Sequence, residues 1–127
     1  MDPISDFIIR IKNAQRAGHE TVQISYSKFK HEISKALERS GLVGGVEKRG
    51  KRVRKIIEIG LIYRDARPAI SDLKLISRPS RRIYSAYKDL KPIRGGGIIF
   101  LSTPKGVLSW NEAKKAKVGG EVIVEIQ

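Results

Sequence analysis

The spacing of apolar residues changes along the chain, and this change limits the possible fold more than any other feature of the sequence. Over residues 4–14, apolar side chains recur at the intervals expected for one face of a helix. Over residues 21–26 they alternate, as in a half-buried strand. Both patterns return further along, so that residues 1–77 predict the order α-β-α-β-β-β. We therefore expect an α+β fold.

The residues at the predicted helix ends are those that favour such positions. Asp2 and Pro3 are typical of a helix start, since Asp can cap the helix and Pro lacks the N–H that the first turn leaves unpaired. Gly18 ends this first helix. Ser27 can cap a second helix, and Gly41 is typical of its C-terminal end. The first half is thus predicted to contain two helices packed on a small sheet.

The sheet of the first half is predicted to include a β-hairpin. Its arms are residues 42–48 and 53–63, joined by a strongly basic tip at 49–52. Gly44–Gly45 weakens the first arm and predicts a bulge. A further strand is predicted over residues 70–77.

The second half is predicted to be mostly β-structure with one short helix. A polar connector that contains a proline begins it, so we expect an N-terminal α/β domain over residues 1–77 and a β-rich C-terminal domain over 78–127. Ser109 and Glu112 have the spacing of a capping box, which predicts a short helix through Lys117, with Gly119–Gly120 as its stop. Apolar runs predict three short strands, at 82–86, 97–101 and 121–126.

The charge of the chain indicates what it binds. Lysine and arginine number 26 against 13 aspartates and glutamates, a net charge of +13. A folded domain with this imbalance repels itself, so the excess favours a polyanionic partner, with nucleic acid the first candidate and an anionic membrane surface the second. A hydrophobic content of 40% argues against a disordered basic tail. Some of the basic clusters should contact phosphate, although the sequence does not identify which; they lie at 48–54, 78–82 and 114–117.

The residues needed for most catalytic and metal sites are missing. The chain has no cysteine, which excludes disulfide scaffolds and thiolate zinc sites, and its histidines, His19 and His31, do not have the spacing of a ligand pair. There is no phosphate-binding P-loop, and the glycines at 95–97 precede a predicted strand, whereas a dinucleotide-binding loop follows one. No nucleophile stands beside a base. We therefore expect no enzymatic activity, no metal and no cofactor.

The sequence also predicts a soluble protein of the cytoplasm. The N-terminus lacks the basic and apolar regions of a signal peptide. No window approaches the roughly 18 consecutive apolar residues of a membrane span. No membrane partner is therefore expected.

Three positions in the second half could contact a nucleic acid, and each has a competing structural explanation. The turn at 102–106 can present hydroxyls and backbone N–H groups to phosphate or ribose, or it can be an ordinary hairpin turn. Glu121 can accept hydrogen bonds from base amino groups, or it can be a solvated strand residue. Tyr84 lies among basic residues and can stack on a base, or it can belong to the core.

Several segments resemble one known family. Residues 98–109, then Glu112–Ala113 and then 119–123, resemble the C-terminal motif of the eighth protein of the bacterial small ribosomal subunit. The opening of the chain, residues 2–14, and the middle segment at 73–84 resemble the same family. The resemblance covers nearly the whole chain in order.

The resemblance implies a structural, RNA-binding role. Members of this family bind the central domain of small-subunit rRNA at an irregular helix, early in assembly, and help to organise the platform. Contacts with neighbouring ribosomal proteins, the fifth and the twelfth, are implied, and an obligate homo-oligomer is not expected. In some bacteria the family also represses its own operon by binding mRNA. An organellar ribosome is compatible with the resemblance. The alternative is a general nucleic-acid-binding protein that tolerates any sequence.

The resemblance also implies which residues contact RNA. It places these contacts in the Ser-Thr turn, the Gly-Gly-Glu segment, the middle motif and the first helix: Ser102, Thr103, Lys105, Gly106, Gly119, Gly120, Glu121, Tyr84, Arg82, Asp2, Arg10 and Asn13. The chain departs from the family at Pro104, where a third small hydroxyl is common, at Ser80, where a glycine is usual, and at Gly96, where a larger apolar residue is common.

Overall fold

The computed structural model describes residues 3–127 and confirms the α+β fold. It divides into two compact units, one ending at Ser71 and the other spanning Asp72–Gln127. This division falls before the boundary expected from the sequence after residue 77. The reason is that Leu73–Leu75 forms a strand that pairs with the C-terminal strand and therefore lies in the second unit.

The first helix, α1, spans Pro3–Arg16. It buries the apolar face that the sequence predicts, including Phe7 and Ile11. Gly18 adopts a φ of +75°, and the His19 N–H donates to the Ala14 carbonyl at 3.0 Å, which ends the helix as expected. The predicted cap at Asp2 lies outside the described residues.

The second helix, α2, spans Lys28–Arg39 and is capped at both ends as predicted. The Ser27 hydroxyl accepts a hydrogen bond from the Lys30 N–H at 3.1 Å. At the other end Gly41 has a φ of +73°, and the Leu42 N–H donates to the Leu37 carbonyl at 3.0 Å. These contacts satisfy backbone groups that a helix end otherwise leaves unpaired.

The sheet of the first unit has three antiparallel strands in the order β1-β3-β2, namely β1 (Thr21–Ser25), β2 (Val43–Arg49) and β3 (Ile56–Leu61). The pairing of β2 with β3 shifts register between Val43 and Val46, which confirms the bulge at Gly44–Gly45. The second arm of the hairpin begins later than predicted, at Ile56, because Arg52–Arg54 forms a 3-10 turn. Next along the chain comes a two-stranded hairpin of β4 (Tyr63–Arg64) and β5 (Arg67–Pro68).

Apolar side chains from both helices and the sheet form the core of the first unit. α1 contacts β1, and α2 contacts β2. Each large side chain removed from water contributes roughly 1.5–3 kcal/mol, so this core supplies the unit's main stabilisation. Its largest fully buried members are Phe7, Ile11, Ile24, Ile33, Leu37, Ile57 and Ile59.

The second unit is built on an antiparallel sheet in which the C-terminal strand is central. The strand order is β6-β10-β8-β9, and β7 also pairs with β10. β6 and β7 are shorter than the runs predicted at 70–77 and 82–86. The strands are β6 (Leu73–Leu75), β7 (Tyr84–Ser85), β8 (Ile98–Thr103), β9 (Gly106–Ser109) and β10 (Gly120–Ile126).

A short helix, α3 (Trp110–Ala116), covers this sheet, and its capping box is confirmed. The Ser109 hydroxyl accepts from the Glu112 N–H at 3.2 Å, and the Glu112 carboxylate accepts from the Ser109 N–H at 2.9 Å. The helix ends within one residue of the prediction, with Lys117 as its C-cap. The residue that ends it is Lys117 itself, in the left-handed conformation with a φ of 57°, and not Gly119–Gly120. The core beneath the helix is formed by Leu90, Leu101, Ala113 and Val122.

The Glu38 carboxylate links α2 to the bulge of β2. It accepts hydrogen bonds from the Lys35 ammonium at 2.9 Å and from the Val46 N–H at 2.9 Å. Both bonds favour the ionised form, so the pKa of the Glu38 carboxyl lies below its usual value, with the Lys35 contact the larger cause.

We expect Glu38 to make the stability of the chain depend on acid pH. Because the folded state lowers the pKa of this carboxyl, its contribution is complete above the unfolded pKa and is lost as the pH falls through the folded pKa. Urea unfolding between about pH 7 and about pH 3 should therefore show a shallower loss of stability for Glu38→Gln than for the wild type. Glu32→Gln, on the same helix, is the control and should follow the wild type. Parallel curves for the wild type and Glu38→Gln would contradict the assignment.

Candidate nucleic-acid interface

Pairing within the second sheet places three of the predicted contact residues in one row. Glu121 of β10 lies directly opposite Tyr84 of β7 on one side and Ser102 of β8 on the other. Residues opposite each other in antiparallel strands share a face of the sheet, with Cβ atoms roughly 4.5–5.5 Å apart. We call Tyr84, Glu121 and Ser102 the cross-strand row.

The outer members of the cross-strand row are open to solvent or to a ligand. Tyr84 is 70% exposed, whereas Ile83 packs against the core cluster. The ring is therefore outside the core, which removes the competing explanation for this residue. Ser102 is half-buried, and its hydroxyl forms no hydrogen bond with any residue in the described part of the chain. Both groups are available to a partner.

The central carboxylate of the row is paired with Arg82. The Arg82 guanidinium donates to Glu121 Oε2 at 3.0 Å. The Arg82 side chain is more exposed than that of Glu121, at 54% against 22%. An exposed pair of this kind adds little stability, about 0–1 kcal/mol, so its main effect is to hold the carboxylate in one orientation. Nothing in the sequence indicated this pair, since its members are 39 positions apart.

The turn between β8 and β9 uses the Thr103 hydroxyl internally. Thr103 Oγ1 donates to the Gly106 carbonyl at 2.7 Å and accepts from the Lys105 N–H at 3.1 Å. Gly106 has a φ of +104°, a conformation that favours glycine, and Pro104 and Lys105 form the exposed corner. Thr103 thus shapes a hairpin turn, while the Lys105 side chain extends from its tip.

Gly119 and Gly120 allow β10 to approach both of its neighbours. A Cβ atom at Gly119 would overlap the carbonyl oxygen of Ser85, and one at Gly120 would overlap the carbonyl oxygen of Ser102. Neither position requires a positive φ. Close approach of the backbone, and not a turn, is therefore the reason for glycine at both positions.

The remaining predicted residues lie elsewhere. Arg10 and Asn13 are exposed on α1 of the first unit, where Arg10 pairs with Asp6 at 3.1 Å. Asp2 lies outside the described residues. Within the second unit the structure brings together nine of the predicted residues: Arg82, Tyr84, Ser102, Thr103, Lys105, Gly106, Gly119, Gly120 and Glu121.

Two other kinds of site are absent from residues 3–127. No group of three or more histidine, cysteine, aspartate or glutamate side chains in this range could hold a metal ion. No helix in this range is long and apolar enough to cross a membrane.

Comparison with known proteins gives a consistent result. The family model described as ribosomal protein S8 matches residues 2–127. A small ribosomal subunit protein uS8 from Erythrobacter litoralis is 40% identical over 126 residues, covering 98% of this chain and 96% of that protein. The protein of the same name from Caulobacter vibrioides is 44% identical over 129 residues, with the same coverage. The one from Dictyoglomus thermophilum is 42% identical over 123 residues, covering 96% of this chain and 94% of that protein.

We expect Gly120→Ala to destabilise the second unit. The new methyl group would meet the Ser102 carbonyl and push β8 away from β10, at a cost of about 1–3 kcal/mol for overpacking. Urea unfolding measures this change. Gly45→Ala is the matched control, because a Cβ there meets nothing within 4 Å. Equal stabilities of the two variants would show that β10 does not need glycine at this position.

Proposed function

The chain belongs to the ribosomal protein S8 family, and on this basis we propose that it binds small-subunit rRNA directly through the cross-strand row. It is a structural constituent of the small ribosomal subunit and not an enzyme. The observation that carries the proposal is the placement of an exposed tyrosine ring, a carboxylate and an unbonded serine hydroxyl side by side on one sheet face.

Tyr84 supplies a stacking surface. Its ring is exposed, and the neighbouring chain is basic, with Arg81 and Arg82 before it and Lys88 after it. A base stacked on an exposed aromatic ring gains about 1–3 kcal/mol, and the surrounding cations attract the phosphates that accompany the base. An unstacked base in an irregular helix is the RNA feature that fits such a surface.

Ser102 and Glu121 supply hydrogen bonds beside the ring. The Ser102 hydroxyl can both donate to phosphate and accept from a ribose 2′-OH. Glu121 Oε1 accepts no hydrogen bond from the described residues and can receive one from a base amino group. Arg82 neutralises the charge of this carboxylate, which reduces its repulsion from the RNA backbone.

The turn and the two glycines act indirectly in this proposal. Thr103 and Gly106 fix the shape of the turn next to Ser102. Gly119 and Gly120 hold β10 close to its neighbours, which sets the spacing of the row. Lys105 is exposed at the corner and can contact phosphate.

The family resemblance extends the proposal to a particular place in the subunit. We infer that the target is an irregular helix of the rRNA central domain, bound early in assembly, and that the protein helps to organise the platform beside the fifth and twelfth proteins. Arg10, Asn13 and Asp2 would form additional contacts from the first unit. An mRNA that imitates the rRNA helix would be bound in the same way, as an operon repressor requires. The bacterial relatives favour a cytoplasmic ribosome.

A second candidate function is general binding of nucleic acid without sequence preference. It is supported by the net charge of +13. Binding of this kind depends almost entirely on phosphate contacts and weakens steeply with salt. The cross-strand row would then contribute nothing to the affinity for RNA or to any sequence preference.

We expect Ser102→Ala and Tyr84→Ala each to weaken binding to the central-domain helix by about 1–3 kcal/mol, because a hydrogen bond or a stacked ring is lost. Neither should lower the melting temperature. Thr103→Ala should weaken binding and also destabilise the fold, since its hydroxyl makes hydrogen bonds within the turn. Filter binding and thermal melting of the same preparations measure both effects.

Ser80→Ala provides the control for these variants, because Ser80 is an exposed serine outside the cross-strand row. It should bind and melt like the wild type. Wild-type affinity of both Ser102→Ala and Tyr84→Ala would refute the proposed site.

A further inference from the structure

The tip of the β2–β3 hairpin concentrates positive charge far along the chain from the cross-strand row. We define the hairpin tip as residues 48–55. It contains six lysines and arginines and no acidic residue. Most of them are exposed, and so is Val53 between them, at 98%. The six cations are Lys48, Arg49, Lys51, Arg52, Arg54 and Lys55.

Among the residues that the structure describes, acidic side chains neutralise one of these six cations, Arg49. Arg49 contacts Glu47 at 2.9 Å and Glu58 at 3.4 Å. Within the described part of the chain, Lys51, Arg52 and Arg54 have no acidic partner and are all exposed. Folding therefore brings like charges together without internal compensation, which costs free energy unless a polyanion binds them.

The conformation of the hairpin tip is specified in spite of this repulsion. Gly50 has a φ of +93°, and a Cβ there would overlap the Arg54 carbonyl oxygen. The Arg54 N–H donates to the Lys51 carbonyl at 3.2 Å and closes the 3-10 turn. A loop held this way loses less entropy on binding than a flexible one, so the cations are arranged in advance.

An aromatic ring supports the base of the tip. The Lys48 ammonium lies 4.5 Å from the centroid of Tyr26, and the Lys55 ammonium lies 5.9 Å from it. These cation–π contacts hold two like charges on one ring. They leave the outer cations, at 51–54, free to meet a ligand.

We propose that the hairpin tip is a second RNA-binding surface, which binds the phosphates of an RNA duplex independently of sequence. This inference rests on the proposed function in one respect, namely that the polyanion is RNA. Residues 48–55 contain no aromatic ring on which a base could stack, so recognition there is limited to the backbone. A single exposed valine does not form the wide apolar face that a membrane-surface helix needs, which argues against lipid as the partner.

The test uses binding of the full chain to an RNA duplex of unrelated sequence, roughly 20 base pairs long, at several salt concentrations. Each phosphate neutralised contributes about −0.9 to the slope of log K against log salt for a duplex. Replacing Lys51, Arg52 and Arg54 together by glutamine should therefore make this slope shallower by about 2–3 and weaken binding at low salt at least tenfold. The unfolding transition should remain that of the wild type or move to higher stability.

Two matched variants separate the tip from net charge. Combined Lys28→Gln, Arg64→Gln and Arg67→Gln removes the same charge from exposed positions outside the tip and the cross-strand row, and should leave the slope near that of the wild type. Combined Lys51→Arg, Arg52→Lys and Arg54→Lys keeps the charge and should bind like the wild type. Equal slopes for the two neutralised variants would overturn the proposal. The proposal would also be overturned if the variant with glutamine at positions 51, 52 and 54 bound the RNA duplex like the wild type but no longer bound phosphatidylserine vesicles that the wild type binds. That result would make the tip a membrane-binding surface.

Failure of this inference is distinguishable from failure of the proposed function. Ser102→Ala should weaken binding to the central-domain helix and leave the slope for the unrelated duplex unchanged. If the wild type bound the central-domain helix and the unrelated duplex equally, the cross-strand row would be refuted as a specific site. The proposal for the hairpin tip would be unaffected. In the opposite case, the wild type prefers the central-domain helix while the glutamine variant of the tip keeps the wild-type salt slope for the unrelated duplex. That result would refute the second RNA-binding surface and leave the proposed function intact.

Discussion

The C-terminal strand can pair with strands on both sides because Gly120, its first residue, and Gly119, just before it, bring no side chain to the contact. At Gly119 and Gly120 the backbone of β10 comes so close to the carbonyls of its neighbours that any Cβ would overlap them. This double pairing places Glu121 between Tyr84 and Ser102, which are distant in sequence. The candidate interface therefore depends on glycine at both positions, because a Cβ at either one would separate the strands.

The two proposed RNA-binding surfaces differ in how their charges are paired. The outer cations of the hairpin tip, in the first unit, have no acidic partner among residues 3–127, while the cross-strand row in the second unit includes a neutralised carboxylate, Glu121, paired with Arg82. Phosphate contacts supply affinity that salt removes, whereas stacking and short hydrogen bonds supply discrimination that survives salt. A net charge of +13 is thus compatible with specific binding, because the side chains that contact phosphate can differ from those that stack on bases or bond to them.

Local features of the fold could be predicted from the sequence, and long-range ones could not. The caps at Ser27 and Ser109 depend on residues within a few positions, so their spacing was sufficient. The sequence predicts a strand at 82–86, but β7 is only two residues long, and its pairing with β10 depends on the register of the whole sheet. The Arg82–Glu121 pair follows from the pairing of β7 with β10, and the early division before Leu73–Leu75 follows from the pairing of β6 with β10. The glycines at 119–120 were taken for a helix end, because nothing local distinguishes that use from close packing.

The central claim is that the chain recognises the shape of one rRNA helix and does not merely attract phosphate. The most direct measurement is filter binding of the wild-type chain to the central-domain helix and to a scrambled RNA of equal length, at low and at physiological salt. We expect both affinities to fall as salt rises, because both complexes include phosphate contacts. We also expect the preference for the native helix to persist. Equal binding of the two RNAs, with affinities that collapse together, would contradict this claim.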